Sequence, residues 1–329
     1  MDSFTQLVLG ACVAAAAVPA RQHRPALLAG AVLGTLPDLD VLVLSLVEDP
    51  ILRMTWHRGP SHSLPVLSVF AVLAWSLLRR RWAPVRESPW RWLAAMALAL
   101  LTHPLLDAHT VFGTQLWWPL PVAPTMWSTI FIIDPLYTIP LATAALVAWW
   151  VRGRRSAQWA LGLGLALSSA YLGWSWSAKS MVERRFAQAL AADGVADAAR
   201  FSVPTTFNTW VWRAVALTPE EVIEAYVWIG DDAAPRLQRY PRAATARDPA
   251  LRTLPAVARL EHFASGFVDL RVEDGELVLL DLRMGAHPDY FFRFAVAEAA
   301  PGGWREIPPR ALPRPGFSWN RLLDQWRGG

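Results

Sequence analysis

The chain has 329 residues, of which 54% are hydrophobic, and its formal net charge is +4. This length allows one large domain or two ordinary ones. No basic patch interleaved with aromatic residues is present, which argues against nucleic-acid binding. The single cysteine, Cys12, excludes an intramolecular disulfide and a thiolate metal site.

The first half of the chain is rich in apolar runs, and only eight of the 27 acidic residues precede residue 180. Runs near the length of a membrane crossing favour an integral membrane protein. We therefore predict an all-α polytopic membrane helix bundle over residues 1–179 and a soluble α+β domain over residues 180–329. The bundle would have about six spans: Phe4–Ala20, Pro25–Val47, Leu64–Leu78, Trp92–Asp107, Ile130–Val151 and Trp159–Trp176.

Arginines follow the first, third and fifth of these spans, in "RQHR" from Arg21, "RRRW" from Arg79 and "RGRR" from Arg152. Basic loops stay on the cytoplasmic side of a membrane. The sequence therefore predicts a multi-pass protein of the bacterial inner membrane whose C-terminal domain is extracytoplasmic.

The first polar string in this half is "GTLPDLD", which contains Asp38 and Asp40. Two carboxylates so close repel each other unless a cation or protons intervene. Acids inside a span are costly and usually functional. The alternative is that the segment ends near Leu36 and both acids face water.

The second string is "HRGPSHS", which places His57 and His62 on either side of a Gly-Pro turn. A turn leading into a helix can bring two imidazoles to one ion, and imidazole is a common metal ligand. Arg58 suits an anionic oxygen of a substrate, and Ser61 or Ser63 could cap the next helix. The alternative is a solvated loop.

The third string is "LTHPLLDAHT", in which His103 and Asp107 are four residues apart and share one helix face. This pair suits a metal that favours nitrogen and oxygen ligands, although Pro104 disturbs the helix. In the fourth string, "IFIIDPLYTIP", Asp134 is either a helix N-cap or a further ligand or partner of a ligand.

All four strings lie near the outward ends of the predicted spans. Helix bundles often build metal sites from His and acidic residues at one level. The sequence thus predicts a single metal site at the outer leaflet.

The second half reads as alternating strands and turns. "GFVDLRV" and "ELVLLDLRM" predict a hairpin with Asp274-Gly275 in its turn. "TPEEVIEAYVWI" predicts a helix capped by Thr218, with Pro219 at its first position and Glu221 completing a capping box.

The strings together resemble the YdjM-like bacterial inner-membrane proteins, a family described as LexA-regulated, membrane-bound, metal-dependent hydrolases. The resemblance covers about Met1 to Trp150 and includes "MDSFTQLVLGA" and "THPLLDAHTVFGTQLWWP". "PTTFNTWVWR" and "DLRMGAHPDYFFRF" resemble longer members that carry an extra domain. The resemblance implies a metal centre without naming a substrate, and its ligand candidates match Asp38, Asp40, His57, His62, His103 and Asp107.

The leading hypothesis is a membrane-bound metal-dependent hydrolase acting at the outer leaflet on a lipid-linked or phosphoester substrate. The expected ligands of one or two Zn²⁺ or Mn²⁺ ions are Asp38, His57, His62, His103 and Asp107. Asp40 or Asp134 would be a general base or a bridging ligand, and Arg58 would stabilise developing charge. One alternative is a non-catalytic scaffold with a structural metal site and an outer binding domain. Another is a transporter, although no inverted repeat is seen.

Overall fold

The computed structural model describes residues 1–151 and 155–313, and it divides into two compact units. The first unit contains Met1–Val43, Arg58–Thr110 and Thr114–Trp176. The second contains Leu44–His57, Val111–Gly113 and the chain from Ser177. The division of the chain at residue 179 into a hydrolase domain and an outer domain stays a prediction. Most of the "RGRR" loop and the last residues of the chain lie outside the described part.

The N-terminal region is helical. Its helices are α1 (Ser3–Ala17), α2 (His23–Thr35), α3 (Asp40–Leu44), α4 (Pro50–Trp56), α5 (Leu64–Arg81), α6 (Ala83–Glu87), α7 (Pro89–Asp107), α8 (Pro135–Trp150) and α9 (Arg155–Ala192). Short 3₁₀ turns at Ala20–Gln22, Leu36–Leu39 and Pro60–His62 link several of them. α1 is central in the first unit and packs against α2, α7 and α8.

The predicted bundle of about six spans is wrong. In the described residues, one helical stretch, Ala20–Leu44, is long and apolar enough to cross a membrane. The count rises to two if Pro50–His62 and Leu64–Arg81, which are bent by 49°, form one broken span. α1 and α8 are apolar but have only 15 and 16 residues, whereas a full crossing needs about 20. α7 and α9, with 19 and 38 residues, are long enough but are not among the apolar candidates. Apolar runs therefore mark the helices of a packed unit as readily as membrane helices.

α1 and α2 cross at very close range through glycines. Gly30 and Gly34 lie one helical turn apart on α2 and face Gly10 of α1. A Cβ atom built on Gly34 would lie 2.6 Å from the carbonyl oxygen of Gln6, and one on Gly30 would lie 2.2 Å from that of Gly10. Small residues spaced in this way let helix backbones approach closely. The crossing fixes the backbone of Gly34, which contributes to the candidate site described below.

The second unit contains two four-stranded antiparallel sheets with strand orders β1-β2-β3-β4 and β5-β6-β7-β8. Their strands are β1 (Ala199–Pro204), β2 (Val211–Leu217), β3 (Glu221–Trp228), β4 (Gln238–Pro241), β5 (Val268–Glu273), β6 (Glu276–Ala286), β7 (Asp289–Ala300) and β8 (Gly303–Ala311). α10 (Pro249–Arg252) and α11 (Pro255–Phe263) connect the sheets. A buried apolar cluster joins α4 and α11 to the second sheet, through residues such as Ile51, Leu260 and Phe294.

The two predictions for this half had opposite outcomes. The hairpin is confirmed: β5 and β6 pair antiparallel, and Asp274 and Gly275 have φ values of 50° and 81°. The helix predicted from Thr218 is wrong, because its residues form β3. The Thr218 hydroxyl accepts from the Glu221 amide at 2.9 Å, so the capping contact exists. The β-branched and aromatic residues that follow pair with β2 and β4 on both sides.

Candidate metal centre

Three segments of the first unit bring four predicted ligands together. Asp38 lies in the 3₁₀ turn after α2, His62 lies in the 3₁₀ turn before α5, and His103 and Asp107 lie on successive turns of α7. Each offers one ligand atom, and these atoms all lie within 4.8 Å of one another. His62, His103 and Asp107 are fully buried, whereas the Asp38 side chain is 18% exposed.

The distances within this cluster are short and nearly equal. The Nε2 atoms of His62 and His103 are 3.0 Å apart. Asp38 Oδ1 lies 3.4 Å from each of these nitrogens. Asp107 Oδ2 lies 3.1 Å from His62 Nε2 and 3.5 Å from His103 Nε2. Two ring nitrogens and two carboxylate oxygens therefore surround one small volume.

A backbone carbonyl fixes the tautomer of His103. Its Nδ1 lies 2.6 Å from the carbonyl oxygen of Gly34. A carbonyl oxygen can only accept, so Nδ1 carries the proton and donates it. In a neutral ring this leaves a lone pair on Nε2, which points into the cluster. A partner of this kind is typical of metal-binding histidines.

A side-chain relay fixes the tautomer of His62 in the same sense. Ser61 Oγ donates its only proton to Asp40 Oδ2 at 2.7 Å. The same oxygen lies 2.9 Å from His62 Nδ1, so the hydroxyl accepts from Nδ1. The Arg58 amide also donates to Asp40 Oδ2, at 3.2 Å. In a neutral His62 ring, this also leaves a lone pair on Nε2.

Asp107 is held in place by several donors. Gln6 Nε2 donates to Asp107 Oδ1 at 3.0 Å, and the amino group of Met1 pairs with the same oxygen. Arg58 Nε lies 3.1 Å from Asp107 Oδ2. The Arg58 Nη1 atom donates to the Thr110 hydroxyl, which donates in turn to the Asp107 carbonyl. The carboxylate is thus buried, ionised and oriented.

The donor set fits a metal ion. Two imidazole lone pairs and two carboxylate oxygens repel one another unless a cation lies among them. In a tetrahedral zinc site with bonds of about 2.0–2.1 Å, the ligand atoms lie about 3.3–3.4 Å apart. The five distances above, 3.0–3.5 Å, are close to that spacing. The sixth, between the two carboxylate oxygens, is within 4.8 Å. A shared proton is the competing cation, and experiment distinguishes it from a metal.

Four predicted site residues lie outside the group of four. His57 belongs to the second unit, where its ring packs edge-on against Phe112 at 5.5 Å. Asp134 is the N-cap of α8, accepting from the Leu136 and Tyr137 amides, and it also accepts from the Tyr171 hydroxyl. Asp40 is connected to His62 of the group through Ser61. Arg58 contacts Asp107 of the group. Neither residue is one of the four.

Sequence reasoning missed three contributors, Met1, Gln6 and Gly34, and it considered Ser61 only as a possible helix cap. Ser63 is the residue that caps α5, through a contact of 3.4 Å to the Val66 amide. The only sequence signal for Ser61 is its place beside His62, and a carbonyl such as that of Gly34 leaves no side-chain signal at all.

Comparison with known proteins identifies the family of the chain. No curated protein and no solved structure matches the chain. A family model described as "YdjM inner membrane protein" matches residues 1–182, which is more than half of the chain and includes all four residues of the candidate centre. The chain therefore belongs to the YdjM inner membrane protein family.

Proposed function

We propose that the chain holds one divalent metal ion with Asp38, His62, His103 and Asp107, and that this centre catalyses hydrolysis. The observation that carries the proposal is the convergence of two histidine Nε2 lone pairs, both fixed by hydrogen bonds at Nδ1. Mixed nitrogen and oxygen donors at tetrahedral spacing favour Zn²⁺ over Mn²⁺, which prefers octahedral oxygen shells. A divalent ion supplies Lewis-acid chemistry and lowers the pKa of water.

The chain's own residues would orient the reaction. Asp38 is the only one of the four that is partly exposed, so reactants would approach from its side. Arg58 is buried and committed to Asp107 and Thr110, which suits a positioning role better than contact with substrate. Asp40 would hold Ser61 and, through it, His62.

The placement of the centre suggests the substrate. Ala20–Leu44, the candidate span, has Arg21 and Arg24 at its start and Asp38 near its end. The positive-inside rule would leave the arginine end in the cytoplasm and the Asp38 end at the outer leaflet. A lipid-linked phosphoester of that leaflet is the substrate class we propose.

One observation favours a second function. Four protein donors complete a tetrahedral shell, as in structural metal sites, whereas catalytic zinc sites usually keep one position open. In that case the ion would stabilise a non-catalytic membrane protein. The hydrolase proposal therefore requires a fifth position on the exposed side of Asp38, as in zinc sites that expand to five-coordinate during catalysis.

Elemental analysis of detergent-purified protein tests the metal centre. We expect about one equivalent of zinc in the wild type and little in His62→Ala and His103→Ala, because each variant removes one of four donors. His262→Ala, an exposed histidine of α11, is the matched control and should keep the metal. If the wild-type protein contained no metal, the proposal would be wrong, and the cation among the four side chains would be a proton.

Hydrolysis assays then separate the two functions. Bis-p-nitrophenyl phosphate and a polyprenyl diphosphate are suitable probes, with Asp38→Asn as the variant. Turnover that needs metal and falls in Asp38→Asn would support the hydrolase. A fully loaded wild type without turnover on either probe would favour the structural role.

A further inference from the structure

The first unit carries a second, unrelated cluster of charge at the opposite ends of the helices that build the metal centre. Seven arginines lie around the start of α2, in the last turn of α5, in α6 and at the start of α7. We call them the basic pole: Arg21, Arg24, Arg79, Arg80, Arg81, Arg86 and Arg91. The segments 15–27 and 75–95 that contain them have one acid, Glu87. The pole therefore has a strong positive excess.

Hydrogen bonds and ring contacts hold the pole together. Gln22 donates to the carboxylate of Glu87 at 3.1 Å and accepts from the Trp92 indole at 2.9 Å. Arg21 pairs with the same carboxylate at 3.4 Å. Arg91 donates to the Ala17 carbonyl at the end of α1. Glu87 thus interacts with Gln22 and Arg21. It does not neutralise the positive charge of the other six arginines.

Tryptophans alternate with these arginines. The Arg24 guanidinium lies 4.8 Å from the Trp149 ring and donates to its carbonyl. Arg79 lies 4.7 Å from the Trp75 ring, which stacks on Trp90 at 5.3 Å. Trp90 and Trp150 are about 70% exposed. Exposed indoles beside arginines are typical of the interface between membrane and water.

Three of the arginines are available for a partner. Arg80, Arg81 and Arg86 are exposed, and within the described ranges no carboxylate forms an ion pair with them. Arg80 and Arg81 also line a shallow cavity with Ser76 and Leu77. A ligand that carries a negative charge next to an apolar region would pair with the guanidinium groups and pack against the indoles.

The candidate spans point to the identity of that partner. The stretch Ala20–Leu44 begins at the pole, and the bent pair Pro50–His62 and Leu64–Arg81 ends there. The pole is therefore where both stretches would meet a membrane surface. We propose that the basic pole binds the headgroups of acidic phospholipids, phosphatidylglycerol or cardiolipin, with the indoles beside the acyl chains. This inference is independent of the metal centre.

Lipid retention by the full-length protein tests the proposal. Protein exchanged into micelles with equal phosphatidylcholine, phosphatidylglycerol and cardiolipin should retain the two acidic lipids in excess. The variant Arg80→Gln/Arg81→Gln/Arg86→Gln should lose most of this excess, since each arginine near a membrane surface contributes roughly fivefold to binding. The corresponding triple lysine variant should retain it.

The control has the same change in charge elsewhere. Arg236→Gln/Arg247→Gln/Arg259→Gln alters three exposed arginines of the second unit and should leave the lipid excess unchanged. An equal loss in this control, or no loss in the pole variant, would overturn the proposal. So would displacement of the lipids by inorganic phosphate at constant ionic strength, which would indicate a site for small anions. Far-UV circular dichroism and gel filtration verify folding without reference to metal.

Discussion

The Ser61 hydroxyl has one proton, and its two neighbours decide where that proton goes. Asp40 can only accept, so Ser61 donates to it and must accept from His62. The direction of this relay determines which nitrogen of His62 faces the other donors. A single hydroxyl group therefore determines which nitrogen of the His62 ring carries the proton.

We expect Ser61→Ala to weaken metal binding about 10- to 100-fold, the usual effect of losing a partner that orients a metal-binding histidine. Ser61→Thr keeps the hydroxyl and should bind nearly as well as the wild type. Competition with a chelator of known affinity measures the difference. Equal affinities for the alanine and threonine variants would show that the relay does not position His62.

The site could be predicted residue by residue only in part. Asp38, His62, His103 and Asp107 were all singled out, because His and Asp are conspicuous in an apolar chain. The choice between His57 and His62 could not be made from spacing. The Gly-Pro pair predicts a turn between them, but not the φ of 60° at Arg58, which is uncommon for a residue other than glycine.

At the scale of elements, the crossing of α1 and α2 positions the carbonyl that orients His103. A side chain at Gly34 would meet the backbone of Gln6 and Gly10, and neither can move without separating the helices. The carbonyl of Gly34 would then leave its 2.6 Å contact with His103 Nδ1. We therefore expect the helix crossing and the candidate metal centre to be coupled.

We expect Gly34→Ala to destabilise the protein by about 1–3 kcal/mol, as overpacking of a tight contact does, and to lower its metal content. Gly162→Ala is the control, because a Cβ atom there meets no heavy atom within 4 Å. Alanine favours helix over glycine by about 1 kcal/mol, so this control should be neutral or stabilising. Thermal unfolding and elemental analysis measure both effects. A Gly34→Ala protein with full stability and full metal would contradict the coupling.

Some secondary-structure elements can be predicted from the sequence and others cannot, for physical reasons. Local signals placed the hairpin at Asp274-Gly275, since a tight turn needs residues that tolerate positive φ. The strand Glu221–Trp228 was predicted as a helix, because a capping pattern was given more weight than its β-branched and aromatic residues. The pairing of this strand with two neighbours is a long-range effect that a window of sequence does not contain.

At the scale of the whole molecule, the metal centre and the basic pole occupy opposite ends of the same helices. The prediction of about six spans came from hydropathy, which reports that a helix is apolar but not what surrounds it. Burial of α1 within the unit satisfies the same pattern. The orientation of the remaining one or two candidate spans can be tested, because the charge difference between their ends is large.

The orientation can be tested by labelling introduced cysteines, because the wild-type chain has a single cysteine. Cys12 is fully buried, so the wild type should not react with a membrane-impermeant maleimide. We expect intact cells to label Leu120→Cys, which is 60% exposed in the segment whose Trp118 carbonyl accepts from Ser63. Arg86→Cys at the basic pole should react only after permeabilisation. The reverse pattern would place the metal centre on the cytoplasmic side.

The separation of the four donors along the chain also sets an order of events during synthesis. Asp38 and His62 leave the ribosome before His103 and Asp107, so only half of the donor set exists until α7 is made. One carboxylate and one imidazole hold a divalent ion weakly. The set is complete at residue 107, whereas the first strand of the second unit begins at Ala199. The proposed ion would therefore be able to bind to the nascent chain before either sheet has been translated.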